Sequence, residues 1–94
     1  MTYRITEKML ESRIDYLNKI TGNPETPWTK TDKGPKANIG NYHLSGAYGG
    51  VALEQMVNDG GGVRSVFECG HVPKRDLFNR LCAFIAGIEA SKAA

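Results

Sequence analysis

Apolar residues recur at helical spacing in the N-terminal part of the chain. Thr6 suits the position before the first turn, where its side-chain oxygen can accept a hydrogen bond from a free backbone N–H group. Gly22 and Pro24 then end the helix, because glycine adopts the left-handed C-cap conformation and proline cannot continue a helix. The pattern therefore predicts a helix over residues 6–21, with an apolar stripe formed by Leu10, Ile14, Leu17 and Ile20.

A second and longer helical pattern covers residues 73–91. Pro73 fits the first turn, where a missing backbone N–H group costs nothing. The apolar stripe consists of Leu77, Leu81, Phe84 and Ile88, and it is widened by Phe78, Cys82 and Ile85. This arc is wider than one partner surface requires, and a chain of 94 residues has little core to cover it. We therefore expect the protein to be a homo-oligomer.

Between the helices, weak alternation and chain-breaking residues predict short antiparallel strands. We expect a first hairpin with extended arms over 27–30 and 36–43 around a turn at 31–34. A strand over 37–44, a turn at 45–46 and a strand over 48–57 follow, and a helix over 51–58 is the alternative to the last strand. A turn at 58–60 then leads to a strand over 63–67. The order of elements predicts a single α+β domain. Its small antiparallel β-meander, of three to four strands, is flanked by N-terminal and C-terminal α-helices.

Composition narrows the classes of partner. The chain has 12 basic and 10 acidic residues, a balance that argues against nucleic acid as the main partner. The first ten residues lack the apolar core of a secretion signal, and no apolar run approaches the ~20 residues of a membrane span. Cys69 and Cys82 are too few for a disulfide framework. We therefore expect a cytoplasmic protein with free thiols and no membrane partner.

Catalytic and metal chemistry find little support in the sequence. A nucleophile needs a base within hydrogen-bond reach, and the Cys/His combinations draw on His43 or His71. Cys82 lies in an apolar stripe, and no oxyanion motif accompanies Cys69. The two histidines are far apart, with no HxxxH motif, cysteine pair or acidic loop. The sequence therefore predicts no enzyme activity, no metal site and no cofactor.

Residues 38–62 hold seven of the eleven glycines and two tyrosines. Each interior glycine costs about 0.5–1 kcal/mol, so either tight turns or close approach of a ligand to the backbone must explain them. In the second case, backbone N–H groups and a helix N-terminus hold phosphate while tyrosine stacks on a base. The glycines match neither GxGxxG nor a Walker loop. Because Gly49 and Gly50 are adjacent at the start of a predicted strand, we expect a positive φ angle or a close backbone contact at one of them. The candidate ligand-binding residues are Asn41, Tyr42, His43, Tyr48, Gly49, Gly50, Arg64, Lys74 and Arg75.

Two segments carry a resemblance to a known family. GNYHLSGAYGG at 40–50 and KRDLFNRLCAFIAGIE at 74–89 resemble the core and the C-terminal helix of small accessory proteins encoded by tailed phages and prophages. The N-terminal helix fits the same pattern, so the resemblance spans nearly the whole chain. It brings no established activity with it. What it implies is a phage protein acting in the cytoplasm of the bacterial host.

The phage setting suggests two leading functions, and a structural or DNA-packaging accessory of the phage is a third. Phage accessory proteins often counter host immunity, and the resemblance leads us to expect a non-catalytic protein that sequesters a cyclic-nucleotide or ADP-ribose-derived signal. The alternative is an inhibitor or regulator that binds a host or phage protein complex and takes no small ligand. Trp28 fits either an exposed anchor for such a partner or a ring packed over the sheet. An aromatic pair beside basic residues in one concavity would favour the first function, and an apolar face carrying Trp28 the second.

Overall fold

The computed structural model describes residues 4–93, without the side chain of the last of them. Its elements are α1 (Glu7–Thr21), β1 (Trp28–Thr31), β2 (Gly34–Ala37), β3 (Tyr42–Ala47), β4 (Gly50–Met56), β5 (Val63–Ser65) and α2 (Lys74–Ala93). The predicted α+β class is confirmed, with one helix before the strands and one helix after them in the chain. The strands form two antiparallel sheets, β1-β2 and β3-β4-β5, rather than one meander.

Both predicted caps of α1 are confirmed. Thr6 Oγ1 accepts a hydrogen bond from the backbone N–H of Met9 at 3.2 Å, and Gly22 takes the left-handed conformation with φ of 70°. The buried positions are Leu10, Ile14, Leu17 and Asn18, whereas Ile20 is half-buried. The polar Asn18 interrupts the apolar stripe that the sequence predicts, and its side chain bonds to β3.

The buried stripe of α2 differs from the predicted one. Leu77, Leu81 and Ile85 are fully buried, four residues apart, and face α1 and the sheet. Phe84 lies at the border of this stripe and is half-buried, and its ring makes a T-shaped contact with the ring of Phe67. The predicted line through Phe84 and Ile88 is therefore the flank of the packed face, and Ile85 is its centre. Cys82, expected within the core stripe, is also only half-buried.

The predicted turn at 31–34 is confirmed in the first hairpin, whereas the predicted strand over 37–44 is interrupted. β1 and β2 pair from Trp28 opposite Ala37 to Thr31 opposite Gly34. The strand expected over 37–44 is wrong, because residues 38–41 leave the sheet. Asn38 fixes this break, since its side chain donates to the backbone carbonyl of Thr26 at 2.9 Å.

In the second hairpin the turn lies later than predicted, and the strand that follows it is confirmed. A turn at 45–46 was expected, but Ser45 pairs with Ala52 inside the sheet. The turn lies at Tyr48 and Gly49, whose φ angles of 54° and 75° are both positive, as a tight type I′ hairpin turn requires. Residues 50–56 form a strand, so the helical alternative over 51–58 is wrong, while β5 ends two residues before the predicted 67.

The sheet β3-β4-β5 packs against both helices, and the helix ends meet through polar contacts. The Tyr16 hydroxyl donates to a Glu89 carboxylate oxygen at 2.6 Å, and Lys92 Nζ donates to the backbone carbonyl of Ile20. The Glu89 carboxylate raises the pKa of Tyr16, because it accepts from the neutral phenol. Neither described helix is both long enough and apolar enough to cross a membrane. The core residues of this layer are Ile5, Leu10, Ile14, Leu17, Tyr42, Val51, Leu53, Leu77, Leu81 and Ile85.

Candidate functional site

The nine predicted ligand-binding residues lie in two separate groups. Gly49 and Tyr48 form the turn between β3 and β4, whereas Tyr42 starts β3 at its other end. A strand of this length, Tyr42–Ala47, separates the two groups by roughly 20 Å at 3.3 Å per residue. The turn group consists of Tyr48, Gly49, Gly50, Lys74 and Arg75, and the strand-start group consists of Asn41, Tyr42, His43 and Arg64.

Tyr48 presents its ring to solvent from the hairpin turn. Its side chain is 99% exposed, and its ring meets the edge of His71 at a centroid distance of 6.0 Å. A tyrosine with φ of 54° is uncommon, since this left-handed position favours asparagine or glycine. The fold therefore places a large aromatic side chain at a position where backbone conformation alone would select a small residue.

Gly50 brings the start of α2 to the same turn. A Cβ atom on Gly50 would lie 3.0 Å from the backbone carbonyl oxygen of Val72. Val51 and Val72 exchange two backbone hydrogen bonds, at 2.8 and 2.9 Å, which holds the residues before α2 against β4. Lys74 follows two residues later. The expected positive φ or close backbone contact at Gly49 and Gly50 is confirmed on both counts.

A serine–histidine pair behind Tyr48 was missed by the sequence analysis. Ser45 Oγ lies 3.2 Å from His71 Nε2 across the outer face of β3. The residues are 26 positions apart, and Ser45 was assigned to a turn, so no local pattern could join them. Within residues 4–93 no carboxylate contacts His71, and the contact with Ser45 holds the imidazole beside the Tyr48 ring.

The strand-start group serves the fold. Asn41 is fully buried and donates to the backbone carbonyl of Pro24 at 2.8 Å. His43 Nε2 lies 3.5 Å from a Glu54 carboxylate oxygen, and Arg64 Nε donates to the side chain of Gln55 at 3.0 Å. These three side chains are already engaged with protein groups.

Tyr42 corrects the expectation that either tyrosine could stack on a base. Only 8% of Tyr42 is exposed, and its ring packs against the ring of Phe84 at 6.2 Å, in an edge contact. Its backbone N–H and C=O groups both bond to the Asn18 side chain. The Tyr42 ring is too deeply buried to stack on a base, so Tyr48 alone of the two could do so.

Four large exposed apolar side chains come from adjoining segments at the other end of the molecule, and we call them the Trp28 surface. Its members are Trp28, Ile39, Val57 and Val63, exposed by 44%, 53%, 44% and 42%. Backbone bonds hold their segments together, since Gly40 donates to the carbonyl of Met56 and Val63 pairs with Met56. Monomeric proteins expose apolar residues singly more often than in such groups.

The glycine-rich turn after β4 supports this surface. A Cβ atom on Gly61, which has φ of 88°, would lie 2.5 Å from the Trp28 ring. The turn therefore needs glycine for its backbone and for the indole that lies over it. This is the turn explanation of the glycine density, and it requires no ligand at this position.

Basic residues are frequent in the hairpin that carries Trp28, and Lys30 shares the Trp28 face of it. Lys30, Lys33 and Lys36 all lie in the β1-β2 hairpin, where Asp32 is the one acidic residue. A shallow cleft of about 480 Å³ is lined by Trp28, Lys30 and Pro35. The hairpin thus combines an exposed aromatic ring with positive charge.

Among residues 4–93, no three histidine, cysteine or acidic side chains meet in a group that could hold a metal ion. Fold and surface together define a small α+β domain that presents exposed aromatic side chains at two separate places. Comparison with known proteins adds no relative, because no family model, curated protein or solved structure matches this chain.

Proposed function

We propose that this protein is a non-catalytic binding protein that inhibits or regulates a protein complex through the Trp28 surface. The observation that carries the proposal is that Trp28 and three aliphatic side chains are exposed on adjoining segments. Tryptophan at the centre of an apolar patch is the residue type that most often dominates binding energy between proteins. The resemblance to phage accessory proteins supplies the setting, the cytoplasm of a bacterial host cell.

The charge around the Trp28 surface specifies the chemistry of the partner. Lys30, Lys33 and Lys36 outnumber Asp32 in the hairpin that carries the indole. We infer a partner with an apolar pocket for Trp28 and an acidic group for Lys30, which lies on the same face of the hairpin, because complementary charge steers association. The β1-β2 hairpin contributes little to the core, since every β1 residue is exposed, and it is thus available for contact.

Trp28→Ala tests the proposal. In pull-downs from phage-infected host cells, we expect a specific partner to bind the wild type and the Tyr48→Ala variant alike and to be lost with Trp28→Ala. With the purified partner, Trp28→Ala should cost about 2 kcal/mol or more, as for an interface hot spot. Binding should also shift the fluorescence of Trp28, which is the one tryptophan of the chain. Equal capture by the wild type and the Trp28→Ala variant would contradict the proposal.

A second candidate function, sequestration of a nucleotide-type immune signal, is favoured by the turn group. Tyr48 is exposed in a rare backbone conformation, and the basic start of α2 adjoins it through the Val51–Val72 bridge. The helix N-terminus and Lys74 suit phosphate, and the Tyr48 ring suits a base. The turn is convex, so a second copy of the chain would have to complete the concave walls that small ligands need.

Calorimetry against cyclic dinucleotides, cyclic trinucleotides and cyclic ADP-ribose isomers tests the second candidate. Tyr48→Ala should weaken binding about tenfold or more at any salt concentration, because stacking is worth roughly 1–3 kcal/mol per base. The pair Lys74→Ala/Arg75→Ala should weaken it mainly at low salt, since screening removes part of the charge term at high salt. Trp28→Ala is the matched aromatic control and should bind normally. If no ligand of the panel gives a heat of binding, the candidate function is ruled out for these ligands.

We also propose that the protein is a homo-oligomer built on the exposed side of α2. A cleft of about 500 Å³ on this side is lined by six residues, namely Ala83, Phe84, Gly87, Ile88, Ser91 and Lys92. Small residues there would allow another helix to approach closely. The wide apolar arc of α2 is only partly used by the core, which supports the proposal.

Gly87→Glu should dissociate the oligomer. A Cβ atom on Gly87 meets nothing within 4 Å, so the variant can fold as the wild type does. Gly87→Ala is the control, since it adds helix propensity of about 1 kcal/mol without charge or bulk. Sedimentation at micromolar concentration should show an oligomer for the wild type and Gly87→Ala and a monomer for Gly87→Glu. A wild-type monomer of 10.3 kDa would refute the proposed assembly.

A further inference from the structure

The outer edge of β3 presents backbone groups that no described residue pairs. Among residues 4–93, β4 is the single neighbour of β3 in its sheet. At the start of the edge, the Asn18 side chain accepts from the Tyr42 N–H at 2.8 Å and donates to the Tyr42 carbonyl at 2.9 Å. The Tyr42 backbone therefore points away from β4. Because peptide groups alternate along an antiparallel strand, those of Leu44 and Gly46 point the same way.

The pairing of β4 supports this direction independently. Val51 lies opposite Gly46, yet its backbone N–H and C=O groups bond to Val72 on the far side of β4. Gly46 and Val51 are thus a non-hydrogen-bonded pair, and the Gly46 groups face outward. Gly46 is exposed, and a Cβ atom there would meet nothing closer than 3.9 Å. The edge is open over two consecutive outward-facing residues.

A groove of about 240 Å³ adjoins the start of this edge. Its walls come from α1, from residues 25–27 and from β3, and its apolar lining is formed by Ile14, Pro27, Tyr42 and Leu44. Glu11, Asp15 and Glu25 supply three exposed carboxylates to the same groove. None of the three forms an ion pair within residues 4–93, while His43, the basic group in the lining, faces Glu54. The groove is therefore apolar in its floor and negative at its rim.

We propose that the β3 edge binds an extended peptide segment with basic side chains, contributed by a partner protein, which adds to the sheet as a further strand. Leu44 and Gly46 would exchange backbone hydrogen bonds with the segment, and its lysine or arginine side chains would reach Glu11, Asp15 and Glu25. Asn18 occupies the strand position next to Tyr42 and so fixes where the added strand ends. This strand-addition mode takes affinity from the backbone and specificity from alternate side chains. It uses none of the residues of the Trp28 surface and stands independently of that proposal.

Peptides of defined chemistry test the site on the full chain. The probes are fluorescent peptides of alternating lysine and valine, the same sequence with glutamate for lysine, and the lysine peptide with alternate backbone nitrogens methylated. Fluorescence anisotropy should show binding of the lysine peptide, and binding about tenfold weaker or worse for each of the other two. Equal binding of the methylated peptide would overturn the strand-addition mode, and equal binding of the glutamate peptide would overturn the role of the carboxylates.

Two sets of variants locate the binding on the protein. Gly46→Pro removes the outward N–H group and should abolish binding of the lysine peptide, whereas Gly46→Ala keeps that group and should bind as the wild type does. Glu11→Gln/Asp15→Asn/Glu25→Gln should weaken binding about tenfold at low salt and less at high salt.

Hydrogen exchange tests the same site on the wild-type protein, so its result does not depend on whether a variant folds. The lysine peptide should slow exchange of the Leu44 and Gly46 amides and leave those of β5 unchanged. Unchanged exchange at these amides in the presence of bound peptide would place the peptide elsewhere and refute the proposal. Protection that rises with protein concentration, without peptide, would assign the edge to a second copy of the chain and also refute it.

Discussion

Leu81→Ala is expected to lower the free energy of unfolding by about 2–5 kcal/mol, because it removes buried methyl groups and leaves a cavity. Leu81 is fully buried in the centre of the α2 stripe. It lies between Leu77 and Ile85, which face α1 and β4, so no neighbouring solvent can fill the space. Urea unfolding followed by circular dichroism measures the change.

Leu44→Ala is the matched control, since it removes the same atoms from a half-buried position in β3. Its cost should be clearly smaller, because part of the side chain is already in water. A loss below about 1 kcal/mol for Leu81→Ala would mean that the α2 face described here is not the packed one.

The helices could be predicted from the sequence because the signals that start and end them are local. Thr6 and Gly22 act on backbone groups within one turn, and both caps are confirmed. The buried face of α2 was harder, since an arc of seven apolar residues contains several stripes of equal length. Packing against β4 and α1 decides that the face of α2 containing Ile85 is buried, and the sequence of α2 alone does not contain that information.

The strands show where local patterns mislead. Ser45 and Gly46 form a common turn pair, yet they lie in β3 because the Tyr48–Gly49 turn sets the register of the hairpin. Tyr48 carries no sequence signal for a left-handed conformation, which favours asparagine or glycine. The strand expected over 37–44 failed because the Asn38 side chain takes backbone partners that a continuous strand would need.

The candidate site was predictable only in part. The approach of Gly50 to Val72, and with it the start of α2, follows the expectation that the paired glycines allow close backbone contact. Tyr42 and Tyr48 cannot be distinguished from composition, because burial of one and exposure of the other depend on Asn18 and on the register of β3. The free edge of β3 has no signature in the sequence, because it follows from the strand order of residues 4–93, in which no strand pairs with that side of β3.

Asn18→Ala is expected to destabilise the protein by about 2–4 kcal/mol, because buried backbone groups that lose their partners cost about 1–3 kcal/mol each. The Asn18 side chain is fully buried and satisfies both backbone groups of Tyr42. Asn79→Ala is the matched control, on the exposed side of α2, and should change the free energy of unfolding by less than about 0.5 kcal/mol.

Asn18→Asp separates the two hydrogen bonds by pH. An ionised carboxylate can accept from the Tyr42 N–H but only repels the Tyr42 carbonyl, whereas a protonated carboxyl can accept from one and donate to the other. Burial and this donor role favour the protonated form, so the folded-state pKa of the introduced carboxyl lies above its unfolded value of about 3.9. A raised folded pKa gives a contribution that is fully present below the unfolded pKa and is lost as pH rises through the folded pKa. The deficit of Asn18→Asp against the wild type should therefore be small near pH 4 and large at pH 7, and a deficit independent of pH would mean that Asn18 does not donate to the Tyr42 carbonyl.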